Sequence, residues 1–251
     1  MRLNRLTFAA AFAAALAVVN PAAGGEPKAV VELFTSQGCS SCPPADRLLG
    51  NLAHDPAVIA LSLPVDYWDY LGWQDTLALK GHGKRQRAYS IARGDGAVYT
   101  PQAVVNGVAH ALGSDKAAIE DAVIKSRAGK QALTLAVKAS IEDGKIVVNV
   151  PGMDGEPLIA DVWLCPVTDK IEVTIQRGEN RGQSLNYYNV VRRWVKLGTW
   201  SGKAETFTIP MADIPNANFT LSDINHFVVL VQNSTNGKPA LMVGAATVAM
   251  K

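Results

Sequence analysis

The chain is poor in cysteine. Three cysteines in 251 residues exclude a small scaffold held by dense disulfides. It is equally poor in excess charge. Its 24 Lys and Arg face 22 Asp and Glu, so no basic surface for nucleic acid is expected. Beyond Val19 no apolar run approaches the ~20 residues that a spanning helix needs. Internal repeats are absent, and no low-complexity tract lies outside the first 24 residues. A composition of 48% hydrophobic and 18% charged residues excludes a disordered or coiled-coil chain. What is left is a globular protein, long enough for one large domain or two ordinary ones.

The first residues are set apart. Arg2 and Arg5 precede an apolar run, Leu6 to Val19, broken only by Thr7. Asn20 and Pro21 end it, and Ala22-Ala23-Gly24 supplies small residues. This is the layout of a secretory signal peptide over residues 1–24, and the run is too short for an anchor. No cysteine stands near the cleavage point, against a lipoprotein signal. Without Arg2 and Arg5 the remaining chain has no net formal charge. A periplasmic or secreted protein is expected, with no membrane partner after cleavage, in a compartment where disulfides persist.

Two halves follow. Residues 25–129 alternate β-branched runs with helix formers. Ala29 to Phe34, Val58 to Leu63 and Ala103 to Val105 read as buried strands. Residues 41–53, 74–92 and the stretch after Ser114 read as helices, the last with Ile119, Ala122 and Val123 on one side and a stop at Gly129. That alternation predicts an α/β domain. Residues 130–251 carry short apolar runs separated by Asp143-Gly144, Asp154-Gly155, Arg177-Gly178, Ser201-Gly202 and Asn236-Gly237. They predict an all-β sandwich, with the boundary near Gly129-Lys130.

The sharpest motif is Gly38-Cys39-Ser40-Ser41-Cys42-Pro43-Pro44. It follows the first strand and opens the first helix. Two intervening residues let the sulfurs meet in one turn. Helix-start amides and the dipole favour a thiolate. Pro43 and Pro44 are tolerated only in a first turn, where N–H groups lack partners. Cys39 is therefore the expected exposed nucleophile, titrating below ~8.5, and Cys42 the resolving thiol. The alternatives are a structural disulfide or half of a zinc site. No second C-x-x-C exists, and four scattered His supply no ligand spacing. Thr100-Pro101 precedes a strand, where proline belongs at the start or edge.

Between these lies a segment of about 35 residues, 66–99. Tyr67, Trp68, Tyr70 and Trp73 cluster at its start. Such aromatics suit a substrate groove over the thiols, or equally a staple packing the segment onto the sheet. Lys80, Lys84, Arg85 and Arg87 form a basic run of the kind that usually marks a solvated helix face. Gly81-His82-Gly83-Lys84 lacks the remaining glycine and hydroxyl of a P-loop. Asp66, Asp69 and His82 match no metal spacing, and no metal or other cofactor is expected. Cys165, inside an apolar strand, reads as a core thiol. Trp163, Trp194 and Trp200 read as core. Glu179, Asn180 and Arg181 form a loop that can face the first half.

Strand, Cys39-Ser40-Ser41-Cys42 helix, strand, then Thr100-Pro101, strand, Asn106-Gly107 turn and helix resembles the thioredoxin-like superfamily. The resemblance implies a cis-proline, Pro101, beside Cys39, with the Thr100 backbone docking an extended substrate. It also implies a buried carboxylate beneath the pair, for which Glu32 is the candidate, one residue farther from Cys39 than in thioredoxin. Ser-Ser matches neither the Gly-Pro of thioredoxins nor the Pro-His of strongly oxidising relatives. Closer still, Val31 to Asp46, Asp66 to Trp73 and Gly178 to Gly182 resemble a family of bacterial exported proteins catalogued as a domain of unknown function.

The function these observations imply is thiol–disulfide exchange with exported proteins. Catalysis is assigned to Cys39, Cys42 and Glu32, and substrate contacts to Thr100, Pro101, Tyr67, Trp68 and Trp73, with a separate redox protein as partner. The rivals are a non-catalytic binding or scaffold protein with an inert disulfide, and a copper-handling relative using His110.

Overall fold

β-Branched and large apolar residues at every position make Ala29–Thr35 a strand buried on both faces, β1. The computed structural model describes residues 27–128, 132–155, 158–235 and 237–250. The expected signal peptide and the expected boundary at Gly129-Lys130 lie outside them. In chain order the next elements are α1 (Pro43–Leu52), β2 (Val58–Pro64), α2 (Lys80–Arg93), β3 (Gln102–Val105), β4 (Ala109–Leu112) and α3 (Lys116–Ala128). Then come β5 (Lys138–Glu142), β6 (Lys145–Val150), β7 (Ala160–Thr174), β8 (Ser184–Val191), β9 (Val195–Trp200), β10 (Glu205–Pro210), β11 (His226–Thr235) and β12 (Lys238–Ala249). Among the described residues no helix is long and apolar enough to cross a membrane.

The expected α/β domain followed by a separate β-sandwich is not what forms. One nine-stranded mixed sheet runs β12-β11-β7-β8-β2-β1-β3-β4 through both halves, with β9 added on β7. β1 and β2 are parallel, β1 and β3 antiparallel. The seam is β2 beside β8, parallel, with Ser62 opposite Val190. The smaller sheet, β10-β6-β5, packs over the C-terminal strands. Three α-helices against twelve strands make the chain mostly β among the described residues.

Burial explains the fusion. Val30, Phe34, Leu61 and Leu63 of the first half share one core with Cys165, Val167, Val228, Leu230 and Met242 of the second. Each large apolar side chain so buried contributes ~1.5–3 kcal/mol, so two separate domains would forfeit on the order of 10 kcal/mol. A main-chain bond also joins the halves: Met242 N–H donates to the Asn106 carbonyl at 3.0 Å. Within the first half, Val30 N–H donates to the Asn106 side-chain Oδ1 at 2.7 Å and holds that turn on β1. Gly107, at φ 76°, sits so close to the Ala240 carbonyl that any Cβ would collide with it.

Alternate residues of β1 serve opposite faces. Ala29, Val31 and Leu33 pack against Ala45 and Leu49 of α1 and Ile119 of α3. Val30 and Phe34 face the shared core. This parity decides where the functional candidates lie.

Candidate functional site around the Cys39–Cys42 disulfide

β1 ends at Thr35, and the chain turns directly into α1. Cys39 N–H donates to the Ser36 carbonyl and Cys42 N–H to the Cys39 carbonyl, both at 3.1 Å. Cys42 is the N-cap of α1, and Pro43 and Pro44 fill its first positions. Cys39 and Cys42 form a disulfide. The Ser41 hydroxyl lies 3.5 Å from Cys39 Sγ, within reach of a thiolate formed there. The expectation of an exposed Cys39 is corrected: Cys39 is 1% exposed and Cys42 0%, while Ser40 and Ser41 are open to solvent.

Distant segments close over the motif. Asn180, between β7 and β8, is itself buried. Its Nδ2 donates to the carbonyls of Gln37 and Cys39, both at 2.9 Å. Ser40 N–H donates to Glu179 Oε2 at 3.2 Å. From the 66–79 segment, Trp73 Nε1 donates to Gln37 Oε1 at 2.8 Å, and Asp75 Oδ2 accepts Gln37 N–H at 2.8 Å. Gly38 is pressed against Trp68, whose Nε1 donates to Thr100 Oγ1 at 2.8 Å. Tyr70 is exposed and stacks on Trp68, while Tyr67, also beside the Trp68 ring, donates to Gln86 Oε1 at 3.2 Å. The Thr100–Pro101 bond is cis. Pro101 sits near α1, since a Cβ on Gly113 would touch both Pro101 and Ala45. Trp68 and Trp73 thus reach the cysteine turn through Gly38 and Gln37, Thr100 is tied to Trp68, and the Tyr67 hydroxyl also lies close to Thr100.

The buried carboxyl beside the pair is Asp46, not Glu32. Asp46 is four residues beyond Cys42, on the same helix face, and its N–H donates to the Cys42 carbonyl at 3.1 Å. The side chain is buried, and the Thr35 hydroxyl faces it without closing a well-formed hydrogen bond to either oxygen. Burial pushes its pKa up to about 8. The Asp75 charge adds to the rise, while the Thr35 hydroxyl and Arg47 oppose it. Asp75 is raised to about 6, chiefly by burial, against the amide donors of Gln37 and Leu77. The Tyr187 hydroxyl, also buried, has no hydrogen-bond partner and feels both carboxylates. Asp46 escaped the sequence reading because an aspartate in a first helical turn is ordinarily a solvated dipole partner.

Glu32 shares the opposite face of β1 with Val30 and Phe34. Arg85 Nε donates to Glu32 Oε1 at 2.7 Å, and Tyr89 donates to Oε2. Gln232 completes the network, donating to Tyr89 at 2.8 Å and accepting from Arg85 at 2.8 Å. Glu32 therefore holds a structural ion pair. Arg85 also departs from the expected solvated face, because Glu32 and the Trp194 ring, 4.1 Å from its guanidinium carbon, hold it inside. Lys80, Lys84 and Arg87 are exposed.

His110 is held on β4 between the Tyr99 hydroxyl at 2.9 Å and Asp95 at 3.2 Å. Among the described residues no cluster of three or more His, Cys, Asp or Glu side chains could hold a metal ion. Cys165 is a buried free thiol, its pKa pushed upward by burial. It sits in the core that joins the halves.

Residues 30–232 match the family model described as "Protein of unknown function (DUF1223)", and the chain belongs to that family. Its fold is similar to the crystal structure of protein AGR_C_4864 from Agrobacterium tumefaciens, a structural-genomics target. That protein is 34% identical, with a TM-score of 0.77 over 89% of this chain and 94% of the other. No curated protein matches.

Proposed function

We propose that the chain is a thiol–disulfide oxidoreductase acting on exported proteins, with Cys39 as nucleophile, Cys42 as resolving thiol and Asp46 as the buried proton acceptor. The observation that carries this reading is the disulfide at the first turn of α1 with a buried carboxyl one turn on. The resemblance to thioredoxin-like proteins supports it at the level of the motif and of Thr100-Pro101.

In the reduced protein, the Cys39 thiolate attacks one sulfur of a substrate disulfide. A Cys39–substrate disulfide forms, and one substrate thiolate leaves. Cys42 gives its proton to the ionised form of Asp46, attacks Cys39 Sγ and restores the intramolecular disulfide. The second substrate thiolate leaves and takes that proton back. Two electrons pass to the substrate, and every step is reversible. A carboxyl raised to about 8 by burial exchanges its proton near neutral pH, which suits it to take up and return the Cys42 proton. Ser41 and the α1 amides stabilise the Cys39 thiolate. Trp68, Trp73, Thr100 and Pro101 would bound the substrate groove. An exported partner would reset the pair after each turnover.

The test is exchange with a model disulfide. The reduced protein should form a trapped mixed disulfide in the Cys42→Ser variant and none in Cys39→Ser. Failure of both to trap substrate would refute the reading. Burial of both cysteines favours a second reading, an inert structural disulfide. It entails a potential too low for exchange.

A further inference from the structure

We infer that the β7–β8 loop is a latch over the disulfide, held by Asn180, and that exchange at Cys39–Cys42 requires its release. This rests on the function proposed above and assigns that site its regulation. A thiolate must approach a disulfide sulfur along the S–S axis. Residues 1% and 0% exposed offer no such approach.

What holds the motif shut is specific. Asn180 spends both amide hydrogens on main-chain carbonyls of the motif, at Gln37 and Cys39, and its Oδ1 accepts Gln183 Nε2 at 3.3 Å. Glu179 adds a surface contact to Ser40 N–H. The loop is bounded by Gly178 at φ 78° and Gly182 at φ 81°, conformations that glycine adopts without strain. The cysteine turn does not depend on the latch. Its own bonds, Cys39 to Ser36 and Cys42 to Cys39, close it. Loss of Asn180 therefore frees the cover and leaves the turn formed.

The experiment uses the full oxidised protein and tris(2-carboxyethyl)phosphine. The phosphine attacks one sulfur, the S–S bond breaks, and water completes the products, phosphine oxide and two thiols. Alkylation of Cys165, measured separately, reports opening of the core. Asn180→Ala and Asn180→Asp should be reduced at least tenfold faster than wild type, with Cys165 labelling unchanged. Glu179→Gln should gain threefold or less, because its contact is exposed. Asn180→Asp keeps the side-chain shape and decides the matter if Asn180→Ala does not fold. Equal reduction rates, or an acceleration matched by Cys165 labelling, would overturn the latch. The two proposals separate cleanly. An exchange-competent potential with unchanged rates removes the latch alone. Faster variants with an inert pair remove the function alone.

Discussion

Replacing Asp46 by asparagine should stabilise the protein, and more so as pH rises. The carboxyl titrates near 3.8 when unfolded and at about 8 in the fold. Between those values the folded state binds a proton that the unfolded chain has released. Stability therefore falls as pH rises through that window, and a neutral amide removes the loss. At 1.36 kcal/mol per pH unit the ceiling is about 5 kcal/mol at pH 8. Water following the charge inward lowers this, so we expect ~2 kcal/mol. For a chain of this size that is a Tm gain of ~4–8 °C. The groups facing Asp46 are Asp75, Thr35, Tyr187 and Arg47, and none changes in the variant. Thermal unfolding of oxidised wild type and Asp46→Asn at pH 4.5 and 8.5 measures the effect. A difference independent of pH, or one favouring wild type at pH 8.5, would refute a buried carboxyl of raised pKa.

Three other outcomes are expected. Replacing both Cys39 and Cys42 by serine should cost no more than ~2 kcal/mol in urea unfolding, because the disulfide closes a separation of only three residues. A much larger loss would mark it as a structural staple. Gly113→Ala should cost ~1–3 kcal/mol, since its Cβ would lie 2.5 Å from Leu33 Cδ1 and 3.0 Å from Pro101 Cβ. The same variant should slow exchange by shifting Pro101, and stopped-flow reduction of a model disulfide checks this. His82 is buried against the Pro64 carbonyl, with Arg85 nearby, and its pKa is pushed down to about 4. Stability should therefore fall as pH drops from ~6.5 toward 4, by at most ~3 kcal/mol, and fall less in His82→Gln. An acid limb identical in both proteins would contradict the neutral buried imidazole.

The cysteine turn was legible because every cue was local: a strand, a tight spacing and prolines that only a first turn tolerates. Thr100-Pro101 was legible for the same reason. The pairing of β2 with β8 was not, because it joins positions some 130 residues apart and leaves no periodicity in either strand. β12, rich in alanine and valine with a mid-strand glycine, lacks the alternation that marks a strand, and β4 is only four residues long. The 74–92 pattern overran a helix that begins at Lys80. Glu32 was placed on the wrong face, since one residue of register moves a side chain across a sheet. Asn180 was visible only as part of a loop, and no local pattern tells which main chain an asparagine will grip.

The reduction potential of the Cys39–Cys42 pair, measured against glutathione or dithiothreitol redox buffers, tests the central claim most directly. A potential between about −120 and −270 mV, the span of known exchange proteins, is expected for a pair that trades electrons with protein thiols. A value below about −300 mV would contradict it and leave the disulfide as a structural link.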